Sequence, residues 1–217
     1  LARFFGMVLL AFMVWIAGSA GISFTSLTIT LAFILLVIAN LVIFLKNRRE
    51  ILAEVRNNWK YFLLIEVIFL AVFLFDLLIR LGNPDLWHPY KGGEKPMDFS
   101  YFNAVLKSTT FPPYDPWYAG GYINYYYYGF VIVGVLTKWL GIVPSIAYNF
   151  TLATLMAVLA MGTFTLGSNL VTNDYLRRFR EKNTDQSTHE MPLPQSGFLG
   201  GLGATLLMVF FGNLGTV

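Results

Sequence analysis

Five predominantly apolar stretches dominate this chain, at about 4–20, 24–45, 60–80, 144–171 and 196–213. Each is long enough, as a helix rising about 1.5 Å per residue, to cross a hydrocarbon core of roughly 30 Å. Few folds can accommodate that pattern. The expectation is an all-α polytopic membrane protein with about five transmembrane helices. Composition agrees: 56% of the residues are hydrophobic and only 12% are charged, against about 25% charged in a soluble domain. The Lys and Arg residues cluster beside the apolar runs, so they report topology, and no nucleic-acid partner is expected. The absence of cysteine excludes disulfides and thiolate chemistry. The chain opens at Leu1 and stops just after an apolar run, the pattern of one membrane module (1–217) cut from a longer protein.

A sixth apolar segment, GFVIVGVLTKWL, is short and carries Lys138. The positive-inside rule decides its placement. If it stays at the membrane surface, Arg3, five basic residues of 46–60 and four of 177–182 gather on one side. The expectation is therefore a cell-membrane protein with 46–60 and 172–195 cytoplasmic. Residues 81–143 then form an extracytoplasmic loop. Two amphipathic helices are expected on the membrane surface within it, at about 96–108 and 125–140. Pro96 suits a helix start, and Phe99, Phe102 and Leu106 recur at helical spacing. Small-residue spacing in the last span, Gly197 and Gly201, suits close helix packing.

The outer loop holds the residues that could carry chemistry. Glu94 and Asp98 lie four apart across a helix start, so both carboxylates can face one small volume. Such a pair can bind a divalent cation, Mg or Mn, or supply a general base. The plainer alternative makes Asp98 a helix cap. Asp115, ahead of Pro116, is a turn former first and a ligand second. Lys91 and Lys95 flank Gly92-Gly93, where an anion could be held. Asn124 either caps a helix or contacts substrate. Tyr125 to Tyr128 would cover the whole circumference of a helix, as an interfacial aromatic belt or as hydroxyl donors and stacking faces for a sugar or lipid phosphate.

The runs GGEKPMDFSYFNAVLKSTTFPPYDPW and GGYINYYYYGF resemble the bacterial and archaeal "YYY" membrane-protein family, whose function is not established. More distantly, the order of elements is similar to that of GT-C glycosyltransferases. These polytopic enzymes move a sugar from a polyprenyl-phosphate carrier on the outer membrane face. An acidic position (Asp98), an amphipathic helix, a Pro-rich stretch (Pro112-Pro113, Asp115-Pro116) and a juxtamembrane helix follow in that order. Where many GT-C members have two adjacent acids, Phe99 follows Asp98 here, and Glu94 is the nearby acid that could substitute. The resemblance implies a glycosyltransferase module with a lipid-linked sugar as donor. It makes Asp98 and Glu94 catalytic, and Lys91, Lys95, Asp115, Asn124, Tyr125 and Tyr126 substrate-binding. The competing expectation is a non-enzymatic membrane subunit that binds lipid or a protein partner, with further membrane subunits as partners in either case.

Overall fold

A computed structural model describes residues 2–84, 86, 94–182 and 195–211. In order, the chain forms α1 (Ala2–Ser19), α2 (Ser26–Asn57), α3 (Trp59–Gly82), α4 (Lys95–Lys107), α5 (Tyr128–Leu140), α6 (Pro144–Lys182) and α7 (Gln195–Leu206). A π-helical turn, Leu207–Phe211, continues α7. The fold is all-α.

Local chemistry accounts for the boundaries. The Thr25 hydroxyl accepts the backbone N–H of Thr28 at 3.3 Å and so caps α2. Gly141 adopts the left-handed conformation (φ 65°) after α5, and Pro144 then opens α6. Two of the expected helices start or end elsewhere. Tyr125 and Tyr126 precede α5 rather than belonging to it, because the Tyr127 N–H turns back to the Tyr125 carbonyl at 2.8 Å. The basic segment after the second apolar run does not form a loop but continues α2 as far as Asn57, beyond a kink at Asn47 (φ −113°, ψ 17°). Its Lys, Arg, Glu and Ala residues are good helix formers, and nothing outside the hydrocarbon forces the helix to stop.

Among the described residues, three helices are long and apolar enough to cross a membrane: Ser26–Asn57, Trp59–Gly82 and Pro144–Asp174. Many of their large apolar side chains, among them Leu35, Ile38, Leu63, Val67, Leu155 and Leu166, are exposed. Helix faces that are apolar and uncovered by protein call for lipid. Two of the five expected spans, Arg3–Ser19 and Gln195–Val209, are shorter apolar helices among the described residues. The 13 residues of α5 rise about 20 Å, well short of a hydrocarbon core of about 30 Å.

The chain divides into two compact units. One comprises Ala2–Leu52 and Ile79–Leu152. Its core joins Leu10, Ala11 and Val14 of α1, Ile29 and Ala32 of α2, Val105 of α4, and Val131 and Val135 of α5. Phe24 and Phe111 pack ring to ring at 5.1 Å within it. A Cβ at Gly18 would lie 2.5 Å from the Phe111 ring, so the glycine makes room for that phenylalanine. Polar bonds fasten α5 at both ends. Trp15 Nε1 donates to the Tyr127 hydroxyl at 2.9 Å, and Trp139 Nε1 donates to Thr30 Oγ1 at 2.9 Å. Lys138 Nζ donates to the carbonyls of Leu106 (3.0 Å) and Ser108 (3.2 Å), closing the C-terminal end of α4. Its ammonium also lies 4.1 Å from the centre of the Phe24 ring. The positive charge thus meets the negative end of the α4 dipole and an aromatic face together.

The other unit comprises Ala53–Leu78 and Ala153–Val217. Here the Gly197 and Gly201 spacing acts as expected. Gly197, Gly201 and Thr205 are buried along one face of α7. A Cβ at Gly201 would lie 2.8 Å from the Phe164 ring, and one at Gly167 would lie 2.8 Å from the Gly200 carbonyl oxygen. Glycines on α6 and α7 therefore let the two backbones touch. Thr205 Oγ1 adds a bond to the Ala160 carbonyl at 3.3 Å. On α3, Tyr61 hydrogen-bonds Ser168 of α6 at 3.1 Å.

Candidate functional site

The acidic pair sits at the opening of α4. Glu94 is the N-cap residue and Pro96 lies in the first turn, where its missing N–H costs nothing. The Asp98 N–H donates to the Glu94 carbonyl at 3.0 Å, the first helical bond, which sets Asp98 one turn above Glu94. The cap reading of Asp98 is thereby overturned: it lies inside the helix, and Glu94 holds the cap position without a side-chain bond. Asp98 is half-buried while Glu94 is exposed. Burial, and then the charge of Glu94, raise the Asp98 carboxyl above its ordinary value of 3.8. Lys95 opens the helix beside them and is half-buried. Lys91 lies outside the described residues.

The Pro-rich stretch forms a short hairpin against α4. The Ile123 N–H donates to the Pro113 carbonyl and the Asp115 N–H to the Gly121 carbonyl, each at 2.9 Å. Asp115 is the turn former anticipated, since its Oδ1 accepts the Trp117 N–H at 2.8 Å. Trp117 Nε1 then donates to Ser100 Oγ at 2.8 Å, and Ser100 donates to the Met97 carbonyl at 2.8 Å. The hairpin is in this way tied to the turn of α4 that carries Asp98. Tyr101, buried on α4, has its phenol raised by burial and by the nearby charge of Asp115.

The four consecutive tyrosines divide into two pairs. Tyr127 and Tyr128 turn toward α1, where Trp15 meets both. Tyr125 and Tyr126 remain exposed, with ring centres 3.8 Å apart. The hydrogen bond to Tyr125 is the chief cause that pushes the Tyr126 phenol up to about 12, and the charges of Glu94 and Asp98 reach it as well. Tyr125, Tyr126, Glu94 and Asp98 therefore share one electrostatic neighbourhood. Asn124 is exposed beside them. It caps no helix, because Tyr127 holds the N-cap of α5.

Two contributors were not singled out from the sequence. Tyr148, on the second turn of α6, packs edge-on against Phe99 at 5.8 Å and also meets Phe102. The charges of Asp98 and Arg80 both reach its hydroxyl. Ser100 is the other, through its bond to Trp117. The available signal was position alone: Ser100 is two residues from Asp98, and Tyr148 is a phenol at the start of an apolar helix. Among the described residues no third His or acidic side chain joins Glu94 and Asp98 in a metal-ligand cluster.

Behind α5, a groove of about 660 Å³ runs between α1, α2 and α5. Leu9, Leu10, Leu36, Val37 and Leu136 line it, with Arg3 and Asn40 as its polar members. One helix serves both places: Leu136 and Trp139 face the groove, while Gly134 lies against Val105 of α4.

No curated protein and no solved structure matches the chain. A family model does, over residues 9–217, under the description "Uncharacterized membrane protein (DUF2298)". That span takes in every helix described above except the first turns of α1, and it agrees with the apolar, lipid-facing surfaces. The chain belongs to this family of membrane proteins.

Proposed function

We propose that this chain is the membrane module of a GT-C-like glycosyltransferase, similar also to the "YYY" membrane proteins. In this reading it moves a sugar from a polyprenyl-phosphate carrier to an acceptor on the outer face of the cell membrane. The observation that carries the reading is the half-buried Asp98, raised by burial and by Glu94, beside the exposed phenols of Tyr125 and Tyr126. A carboxylate whose proton affinity is raised is a better general base than one in water. Asp98 takes the proton of the acceptor hydroxyl as that oxygen attacks the anomeric carbon. The bond from the anomeric carbon to the phosphate oxygen breaks, and polyprenyl phosphate departs with the electron pair. Lys91 and Lys95 offset the charge developing on that phosphate. Asp115, Asn124, Tyr125 and Tyr126 border the sugar. Glu94 and Asp98 would hold a divalent cation, Mg or Mn, together with donor phosphate oxygens, as two carboxylates commonly do. The groove between α1, α2 and α5 accepts the lipid chain.

The reading needs the polar loop outside. With α5 lying at the outer interface, 46–60 and 172–195 share the cytoplasmic side. The cysteine-free sequence makes this testable. Glu50→Cys and Arg180→Cys should both resist a membrane-impermeant maleimide in intact cells and react after permeabilisation. Labelling of only one from outside would place the two segments on opposite sides and make α5 cross the membrane, and labelling of both would invert the topology. For the chemistry, Asp98→Asn should abolish transfer from a polyprenyl-phosphate sugar while the protein stays folded. Full activity in that variant would remove Asp98 from the mechanism.

A second reading, a non-enzymatic subunit that binds lipid or a protein partner, is favoured by the apolar groove alone, which needs no catalyst beside it. Lipid co-purifying with both wild type and Asp98→Asn, with no transfer by either, would support it.

A further inference from the structure

The hairpin Pro113–Ile123 presents four aromatic rings whose inner sides are occupied and whose outer faces are open. Trp117 is 62% exposed, yet its indole N–H is held by Ser100 and its backbone N–H by Asp115. Tyr118 is 70% exposed, yet its ring lies on the backbone of Gly121, where a Cβ would overlap it. Tyr114 and Tyr122 stack on each other with ring centres 4.7 Å apart and planes at 18°. Their hydroxyls meet at 3.5 Å. Polar anchors and a glycine thus fix these rings without covering them. Freely solvated loops do not pin large side chains in this way, because ordering them costs rotamer entropy.

We propose that this hairpin is a carbohydrate-binding platform that stacks pyranose rings of an acceptor glycan. The proposal deepens the glycosyltransferase reading and rests on it for the word acceptor. A pyranose offers a C–H face to an aromatic ring and hydroxyls around its edge. The ring faces carry negative charge density that suits C–H groups, and phenol and amide groups sit beside them. Preorganised rings bind at lower entropic cost than mobile ones. The membrane interface is the other home for exposed Trp and Tyr, where the polar tip faces headgroups and water. Here the Trp117 N–H is turned to Ser100 and the Tyr122 hydroxyl to Tyr114, so these tips serve the protein. The hairpin is tied through Ser100 to α4, the helix that carries Asp98.

The test uses the full chain in lipid nanodiscs with chitotriose and maltotriose as probes, read by saturation-transfer NMR and titration. Wild type should bind at least one of the two saturably. Tyr118→Ala should weaken binding about tenfold, the loss of one stacked ring, while Tyr118→Phe keeps it. Asp98→Asn should bind like wild type, which separates the platform from the catalytic reading: loss of transfer with retained binding supports both, and retained transfer overturns only the base. Equal binding by Tyr118→Ala and wild type overturns the platform. So does the absence of saturable binding to either trisaccharide. Quenching of Trp117 emission by brominated lipids, assigned with Trp117→Phe, would overturn it too and place the hairpin in the headgroup layer.

Discussion

Replacing Lys138 with methionine keeps the aliphatic stem and removes the ammonium that closes α4. Two carbonyls, those of Leu106 and Ser108, then lose their donor, and the Phe24 ring loses its cation. An acceptor left without a partner costs about 1–3 kcal/mol, and a partly buried cation–π contact contributes about 1 kcal/mol. Against this, the ammonium no longer has to be desolvated, and that burial is what lowers its pKa in the folded protein. Water can also reach part of the exposed end of the helix. The balance is about 2 kcal/mol of destabilisation, equivalent to about 4–8 °C in Tm for a chain of this size. Hydrogen exchange at 104–108 should quicken by about thirtyfold, because the loss is local to the last turn of α4. The sign of the linked pH effect is also set. A lysine with a lowered folded pKa leaves the unfolded chain binding more protons between that pKa and 10.5, so its contribution to stability rises with pH across that window. Lys138→Met should lose that rise. Unchanged exchange at 104–108 together with an unchanged melting temperature would refute the capping argument.

Four further outcomes are expected. Transfer activity should fall as pH drops through the raised pKa of Asp98, above 3.8, because the base is then protonated; a profile still flat below pH 3.8 would disconnect Asp98 from the rate. The folded state should gain stability over the same descent, since a carboxyl raised in the fold binds more protons there than in the unfolded chain. Gly201→Leu drives a side chain into Phe164 and should destabilise by about 1–3 kcal/mol, seen as earlier thermal unfolding in detergent, whereas Gly203→Leu, with open space at its Cβ, should not. Ser100→Ala frees the Trp117 indole and should red-shift and broaden its emission, assigned by difference against Trp117→Phe; an unchanged spectrum would mean that the bond does not position the ring.

Much of the helical plan was legible because lipid imposes it. A run such as Trp59–Gly82 has one solution in a bilayer, and its ends are marked by Asn58 and by Gly82 with Pro84. The outer loop was legible where proline and glycine punctuate it: Pro96 opened α4 and Asp115 formed its turn. The division of the tyrosine run was not, because four identical residues carry no directional signal. What sends Tyr127 inward is Trp15, 112 residues away. Asp98 as a cap failed for a similar reason. Cap propensity names a residue type, whereas the position of the first helical bond was set by Pro96. The partners of Lys138 at Leu106 and Ser108 were not legible either, because they depend on how α5 crosses α4, which local sequence does not encode.

The glycine contact between α6 and α7 has a consequence for how this protein can change in length. Backbones that touch through Gly167, Gly200 and Gly201 leave no side-chain layer to absorb a rotation. One residue added to α7 between Gly197 and Gly201 would turn everything beyond it by about 100° about the helix axis. An insertion ahead of Leu199 would carry that leucine into the Gly200 position against Val171 and Gly167, and Thr205 would swing away from the Ala160 carbonyl. Substitution at an open position such as Gly203, where a Cβ would meet nothing, is cheap. Insertion is not, so the residue count of α7 between these contacts is locked.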